Sequence, residues 1–350
     1  MGIKRRMLTA AVVTALTMTT LLAPAAGATA VAGGSHHGGD EPAASLLASG
    51  LQGASGSTIG PDGALYVTEG VIGQVTRIDP RTGAKSALVT GLPPAILPLG
   101  GAIDVAFIGR TAYVLVTLVG NGVPGNTTDD VAGIYRVDDS DGFTVIADLG
   151  TWTVENPPPP DLDYFVPAGL QFAMQETRGG FLVTDGHMNR LLKVKLSGEI
   201  SLVAQYGNIV PTGLDVRGSK VYLAEAGALP HLPADGKVVS FGLRNPQPRD
   251  VASGGSLLVD VEWGKCGLYA LSQGDSPGDD VEPGSPALPD SGELLKANRN
   301  GTFSVIAEGL DLPTSVDFSR DTAFVVTLDG EVWKIDVSKG KHHRGCGGGR

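Results

Sequence analysis

The 350-residue sequence is poor in cysteine. It has only Cys266 and Cys346 and no CxxC or spaced Cys/His pattern, which excludes a zinc site built on thiolates. Positive charge is also scarce: 26 Lys and Arg stand against 37 Asp and Glu, a net charge of −11. An anionic chain of this kind repels nucleic acid and anionic lipid, so nucleic acid is not an expected partner. After Leu22 there is no apolar run long enough to span a bilayer. A phosphate-cradling Gly-rich loop, a dinucleotide fingerprint and a Ser-His-Asp order are all missing.

What is present begins with a leader. Lys4-Arg5-Arg6 is followed by an apolar, Ala/Thr-rich stretch over residues 7–22 and then by Ala28-Thr29-Ala30, a small-x-small cleavage pattern. A signal peptide over residues 1–30 and a secreted, extracellular protein are expected, with no membrane span left after cleavage. Arg5-Arg6-Met7-Leu8 leaves both the general and the twin-arginine export routes open. Cleavage removes three positive charges and no acidic ones, taking −11 to −14. In an oxidising compartment Cys266 and Cys346 can pair and pin the C-terminus, or remain two thiols. Residues 31–42 read as a flexible linker and 339–350 as a flexible Gly/His/Lys-rich tail. The His36-His37 and His342-His343 pairs fall in those segments and read as solvated.

Between them the chain repeats one phrase about six times. It is clearest as Gly60-Pro61-Asp62-Gly63-Ala64-Leu65-Tyr66-Val67-Thr68-Glu69, then Gly73-Gln74-Val75-Thr76-Arg77-Ile78-Asp79, then Ser86-Ala87-Leu88-Val89. Each phrase is a set of short apolar runs cut by turn residues, a small antiparallel sheet. The 51 Gly and 23 Pro suit many tight turns. A large side chain recurs on the second strand at Tyr66, Tyr113, Leu182, Tyr222, Tyr269 and Phe324, at intervals of 40 to 69 residues. These spacings are near the period of a β-propeller blade apart from insertions. A third strand follows each, with Arg77, Arg136, Lys193, Lys296 and Lys334 at one slot. These side chains are either a ring of anion-binding charges or structural stems lying over neighbours. The last repeat has no fourth strand after Trp333, whereas residues 45–51 match residues 304–310 almost position for position. An all-β, six-bladed β-propeller over residues 43–338 is expected, closed by the N-terminal strand completing the last blade and needing no helix.

Chemistry in such a fold belongs to the loops after the second strands and before the first strands, which share one face. Three insertions fall there, at 119–132, 152–167 and 274–293, the last with six carboxylates and no Lys or Arg. Glu69, Asp185 and Glu225 end second strands at corresponding slots, with Gln273 and Asp329 nearby. Converging carboxylates of this kind are candidate oxygen ligands for Ca²⁺ or another divalent cation, or are turn residues bonding their own backbone. His187 is the candidate general base. Glu155, Asn156, Asp185, Asn189 and Gln273 are the candidate ligand-binding set.

These segments resemble the ScyD/ScyE family of exported β-propeller proteins, relatives of NHL and gluconolactonase-like six-bladed propellers. The resemblance rests on residues 60–70, on Asp148-Leu149 with Glu155-Asn156-Pro157, on Thr184-Asp185-Gly186 with Asn189-Arg190-Leu191-Leu192, on Val210-Pro211-Thr212-Gly213-Leu214, and on residues 221–227. It spans most of residues 45–336. The chain departs from the family pattern at His187-Met188 and in the acidic insertion after Gly274. The resemblance implies a propeller fold and a secreted location; the elaborated loop face, with no recognised catalytic set, leads to the expectation of a monomer that binds a small molecule, glycan or protein there. The alternative the resemblance implies is a divalent-metal-dependent lactonase, hydrolase or lyase in which Glu69, Asp185 and Glu225 hold the ion and His187 acts as base.

Overall fold

The computed structural model describes residues 44–162, 164–228, 231–278 and 285–338. The expected signal peptide, linker and tail lie outside the described residues, and so does Cys346. Six four-stranded antiparallel sheets make up the fold, each an up-and-down meander. Their inner strands are Ala54–Ile59, Gly101–Ile108, Gln171–Thr177, Pro211–Arg217, Leu258–Gly264 and Pro313–Ser319. Each inner strand packs against the one before and the one after, and the last packs against the first. The sheets are therefore blades of a closed six-bladed ring around a central channel. The sixth sheet draws on both ends of the described chain. Ala44–Ala48 forms its outer strand, antiparallel to Val332–Asp336, with Ala44 opposite Ile335 and Leu46 opposite Trp333.

The blades are short, strongly twisted sheets because every inner strand carries a register shift near its loop-face end, for example between Gln171 and Met174 and between Pro211 and Leu214. A bulge bends the strand and raises its twist. Cohesion between blades comes from the recurring large residue of the second strand. Tyr66 packs edge-on against Phe107 of the next blade at 4.8 Å and Tyr222 against Trp263 at 5.3 Å, while Tyr269 meets Phe318 at 4.6 Å with the rings tilted. The core is thus a series of inter-blade clusters rather than one centre.

Two elements escaped the sequence. Asn245–Ser253 is the outer strand of the fourth blade, disguised by Pro246 and Pro248, which an outermost strand tolerates because one row of its N–H groups faces solvent. The segment after the second blade holds the one α-helix among the described residues, Leu149–Glu155. Its N-terminus is capped by Asp148, whose Oδ1 accepts the Thr151 N–H at 2.8 Å.

Candidate functional site

At the loop face four of the expected polar residues, Asn156, Asp185, His187 and Asn189, form a knot with Arg190, held by hydrogen bonds to one another and to nearby backbone. Asp185 is fully buried and accepts the N–H groups of Leu170 (3.1 Å) and Met188 (3.0 Å), the Gln171 amide (3.3 Å) and the Arg190 guanidinium (3.4 Å). Arg190 also donates to the Asn156 carbonyl at 2.7 Å and to Thr153 Oγ1 at 2.8 Å, and its guanidinium lies over the Trp152 ring. Asn189 adopts a left-handed φ of 51°, which aims its Oδ1 at the N–H groups of Ile209 and Val210, both at 2.8 Å. His187 Nε2 accepts the N–H groups of Phe165 and Val166 at 2.9 and 3.0 Å. Burial pushes its pKa down, so the ring is neutral with its proton on Nδ1. Glu155 is exposed at the helix end. The Asn156 side chain donates back to the Trp152 carbonyl at 2.8 Å.

Glu69 and Glu225 are buried in other blades. Glu69 accepts the Gln52 N–H at 2.8 Å, the Gln74 amide at 3.1 Å and the Thr76 hydroxyl. Glu225 faces Lys237 Nζ at 3.7 Å, and burial raises its pKa to about 7. A divalent cation needs several oxygens free to point at one spot. Here Glu69 and Asp185 have their oxygens on backbone and side-chain donors, and a lysine stands on Glu225. The three do not fit a shared ion, and among the described residues no group of three or more His, Cys, Asp or Glu is arranged to hold one. Cys266 lies in the turn between the inner and second strands of the fifth blade, at the opposite end of the ring. No described cysteine is free.

The convergence that the loop face lacks is found inside the channel. A cavity of about 350 Å³ runs along it, lined by inner-strand residues of all six blades and reached by Gln273 from the loop-face end. Gln273 is buried, and its Oε1 accepts the Ala287 N–H at 3.2 Å. Asp104, Glu176, Asp260, Glu262 and Asp317 line the cavity, and no Lys, Arg or His does. Asp215 stands close enough to repel Asp260, Glu262 and Asp317. Room for the aspartates comes from glycine: a Cβ on Gly56 would meet Asp104 Oδ1 at 2.4 Å, and one on Gly213 would meet Asp260 Oδ1 at 2.3 Å.

Four of these carboxyls tie one blade to the next. Asp104 accepts the Met174 N–H at 2.6 Å, Asp215 the Trp263 N–H at 3.0 Å and Asp260 the Val316 N–H at 2.8 Å, while Asp317 accepts the Ser57 hydroxyl. Glu262 and the exposed Glu176 make no side-chain hydrogen bond among the described residues. Burial dominates the protonation of Asp104, Asp215, Asp260, Glu262 and Asp317. It raises Asp260 to about 7 and Asp317 to about 6, and puts Asp104 and Glu262 well above the usual carboxylate range, with mutual repulsion adding to it. Carboxyls this strongly coupled titrate as a set. The lumen can therefore offer protonated carboxyls as donors, or ionise collectively when a cation enters.

Sequence reasoning missed this set because it looked to loops. A signal was available: Ile103-Asp104-Val105, Leu214-Asp215-Val216, Val259-Asp260-Val261 and Val316-Asp317-Phe318 repeat an Asp between apolar neighbours on each of four first strands. By the two-residue alternation of a strand such an Asp lies on the opposite face from both neighbours, the face that meets the next blade, where Asp104, Asp215 and Asp260 accept N–H groups.

No protein-family model and no curated protein matches this sequence. Comparison of structures does find similar folds. A gluconolactonase from Xanthomonas campestris superposes with a TM-score of 0.57 at 12% identity, over 84% of this chain and 89% of that one. The fold is that of the gluconolactonase-like six-bladed propellers. The PQQ-bound aldose sugar dehydrogenase from Streptomyces coelicolor matches with a TM-score of 0.54 at 12% identity, covering 85% and 98% of the two chains. A streptogramin B lyase gives 0.51 at 11%, covering 84% and 97%. Chains of such different chemistry share this propeller's blades, so the likeness carries the fold and leaves function to the residues of the site.

Proposed function

We propose that this propeller is an exported binding protein whose central channel takes a small organic cation. The observation that carries this reading is a channel cavity of about 350 Å³ lined by five carboxyl groups and apolar side chains with no basic group. That volume is within the range of small-ligand sites. Glu262, lacking a hydrogen bond among the described residues, is the group open to form an ion pair with an ammonium. The neighbouring aspartates supply field without surrendering their inter-blade bonds. Entry of a cation favours ionisation of the set, so binding releases protons and tightens as pH rises from about 6 to 8.

Binding rather than turnover is supported by the state of His187, whose Nε2 lone pair is occupied by two backbone N–H groups. The lactonase, hydrolase or lyase alternative implied by family resemblance has only the fold in its favour, since Glu69, Asp185 and Glu225 are engaged separately. Export rests on the leader at residues 1–30, and the ScyD/ScyE resemblance points the same way.

Calorimetry with a panel of small amines and their uncharged hydroxyl counterparts tests the proposal. Amines are expected to bind, with protons released to buffer, and Glu262→Gln to weaken them about 10-fold, the scale of one partly buried ion pair. Ala106→Trp, which fills the lumen, is expected to abolish binding. Equal affinity for uncharged counterparts, or amine binding untouched by both substitutions, would overturn it.

A further inference from the structure

The two ends of the ring differ in charge in a way the blade repeat does not require. The loop face is built from twelve connections: those from second to third strands and those from each outer strand to the next inner strand. None of the twelve contains a Lys or an Arg. The opposite end, made of the other turns, carries Arg81, Arg110, Arg178, Lys265, Arg299 and Arg320. Over the loop face the acids stand unopposed: Asp129, Asp161, Asp275, Asp290 and Asp329 are all exposed. On the fifth blade they enclose an open cleft of about 480 Å³ lined by Asp275, Asp290, Glu293 and Glu308. Glu293 feels the repulsion of Asp275 and Glu308, so the cleft is short of positive charge.

The same face also exposes large apolar side chains. Val71, Ile96, Val154, Tyr164, Phe165 and Leu288 all stand on it, Phe165 at 67% exposure. An aromatic left this far in water is unfavourable unless something covers it. Phe165 is nevertheless held in one position. Its N–H donates to His187 Nε2, and its ring meets the His187 ring edge-on at 4.3 Å. Below it, Leu118, Val123, Val166 and Ala168 pack into a small apolar cluster that ties the loops of the second and third blades together. The knot around Asp185 and Arg190 fixes the same loops from the other side. A rigid exposed aromatic loses little freedom on binding, which is what distinguishes a contact hot spot from an idle surface residue.

We propose that the loop face docks a basic, apolar-studded segment of another polypeptide, with Phe165 and its neighbours as the apolar anchor and the fifth-blade acidic cleft as the seat of its Lys or Arg side chains. Charge complementarity selects this occupant. Nucleic acid and anionic lipid meet a face of their own sign, and a neutral apolar partner would leave the acids desolvated without compensation. His187 acts here as a positioning residue, because it orients Phe165 and Val166 through their backbone.

The probes are short synthetic peptides alternating Lys with Phe, and Glu with Phe, titrated into the intact protein by fluorescence anisotropy at low and high salt. Only the Lys/Phe peptide is expected to bind, more weakly as salt rises. Phe165→Ser and the pair Asp275→Lys with Asp290→Lys are each expected to weaken it at least ~10-fold. Glu199→Lys on the opposite end serves as a control expected to change nothing. Ala106→Trp, which fills the channel, is also expected to leave it unchanged, so failure here is distinct from failure of the channel reading. Equal binding of both peptides, or binding indifferent to the loop-face substitutions, overturns the proposal. So does concentration-dependent self-association in light scattering that Asp290→Lys abolishes, since that would make basic turn residues at the opposite end of a second copy the occupant.

Discussion

At the scale of single residues, the channel carboxyls are the side chains whose placement has the largest energetic consequence. An acid whose pKa is raised on folding binds a proton in the native state that the unfolded chain has already lost. Between the ordinary carboxylate value near 4 and the folded value near 6 to 7, stability therefore falls as pH rises, and above that window no more is lost. Asp260 at about 7 and Asp317 at about 6 set the window. His187 and His231, pushed down by burial, act oppositely, since their stability is lost as pH falls below about 6.5. A difference profile separates the two. Glu262→Gln removes one repelling titratable group and breaks no hydrogen bond, so its melting temperature relative to the parent should climb from pH 5 to pH 8. The limit is about 1.4 kcal/mol per pH unit for one proton. A flat difference across that range in a pH series of thermal melts would remove the raised-carboxyl account. The third-strand basic slot has a plainer role. Arg77, Arg136, Lys193, Lys296 and Lys334 stand cross-strand from Tyr66, Tyr113, Leu182, Tyr269 and Phe324 in their own blades. Lys296 Nζ lies 5.7 Å from the Tyr269 ring. Arg77 and Arg136 pair with Asp62 and Asp138 of their own blades, so the slot's charges engage neighbours locally.

Among elements, the strand Ala44–Ala48 carries a disproportionate load. It covers the edge of Val332–Asp336, and Leu47 and Ala48 pack with Phe324, Val326 and Val332. A chain beginning at Gly50 loses those side chains and bares a row of unpaired backbone groups. Compared with a chain beginning at Pro42, it should be about 2–5 kcal/mol less stable in urea unfolding, the scale of removing buried aliphatic groups. It should also associate at high concentration through the bared edge. Matching urea midpoints for the two chains would show that the last blade stands on three strands. This pairing was readable because residues 45–51 and 304–310 share a phrase. The outer strand Asn245–Ser253 was not, since its prolines suppress the strand pattern while its edge position tolerates them. The helix Leu149–Glu155 was hidden by length: at seven residues it depends on its Asp148 cap and on burial of Leu149, and neither registers as helical periodicity.

For the whole molecule, the division of charge between the two ends matters more than the net value. The expected mature chain at −14 is repelled by anionic surfaces, and the connecting loops of one face hold no Lys or Arg, its Arg190 and Lys237 being paired with Asp185 and with Glu225 and Asp250. Compartment enters at this scale too, through the leader and the cysteines. Intact-mass measurement of the exported protein should give an N-terminus near residue 31 and a mass two hydrogens below the fully reduced value, restored by reductant, for a Cys266–Cys346 bond. Two free thiols, or a retained leader, would overturn the corresponding part.

The sequence by itself determined the number of blades, the alternation within them and the absence of positive charge from one set of loops, because these depend on local periodicity and composition that survive in one dimension. Its candidate site was half legible. Asp185, His187, Asn189 and Asn156 do come together, since neighbouring loops of one blade bring them together. Only the tertiary structure decided what they do there, as donors from Phe165, Ile209 and neighbouring strands take up their lone pairs. It alone decided where carboxyls converge. Asp104, Asp215, Asp260 and Asp317 are separated by up to about 110 residues per step in the chain. They meet because ring closure gathers all the inner strands around a single axis, and no local pattern encodes that closure.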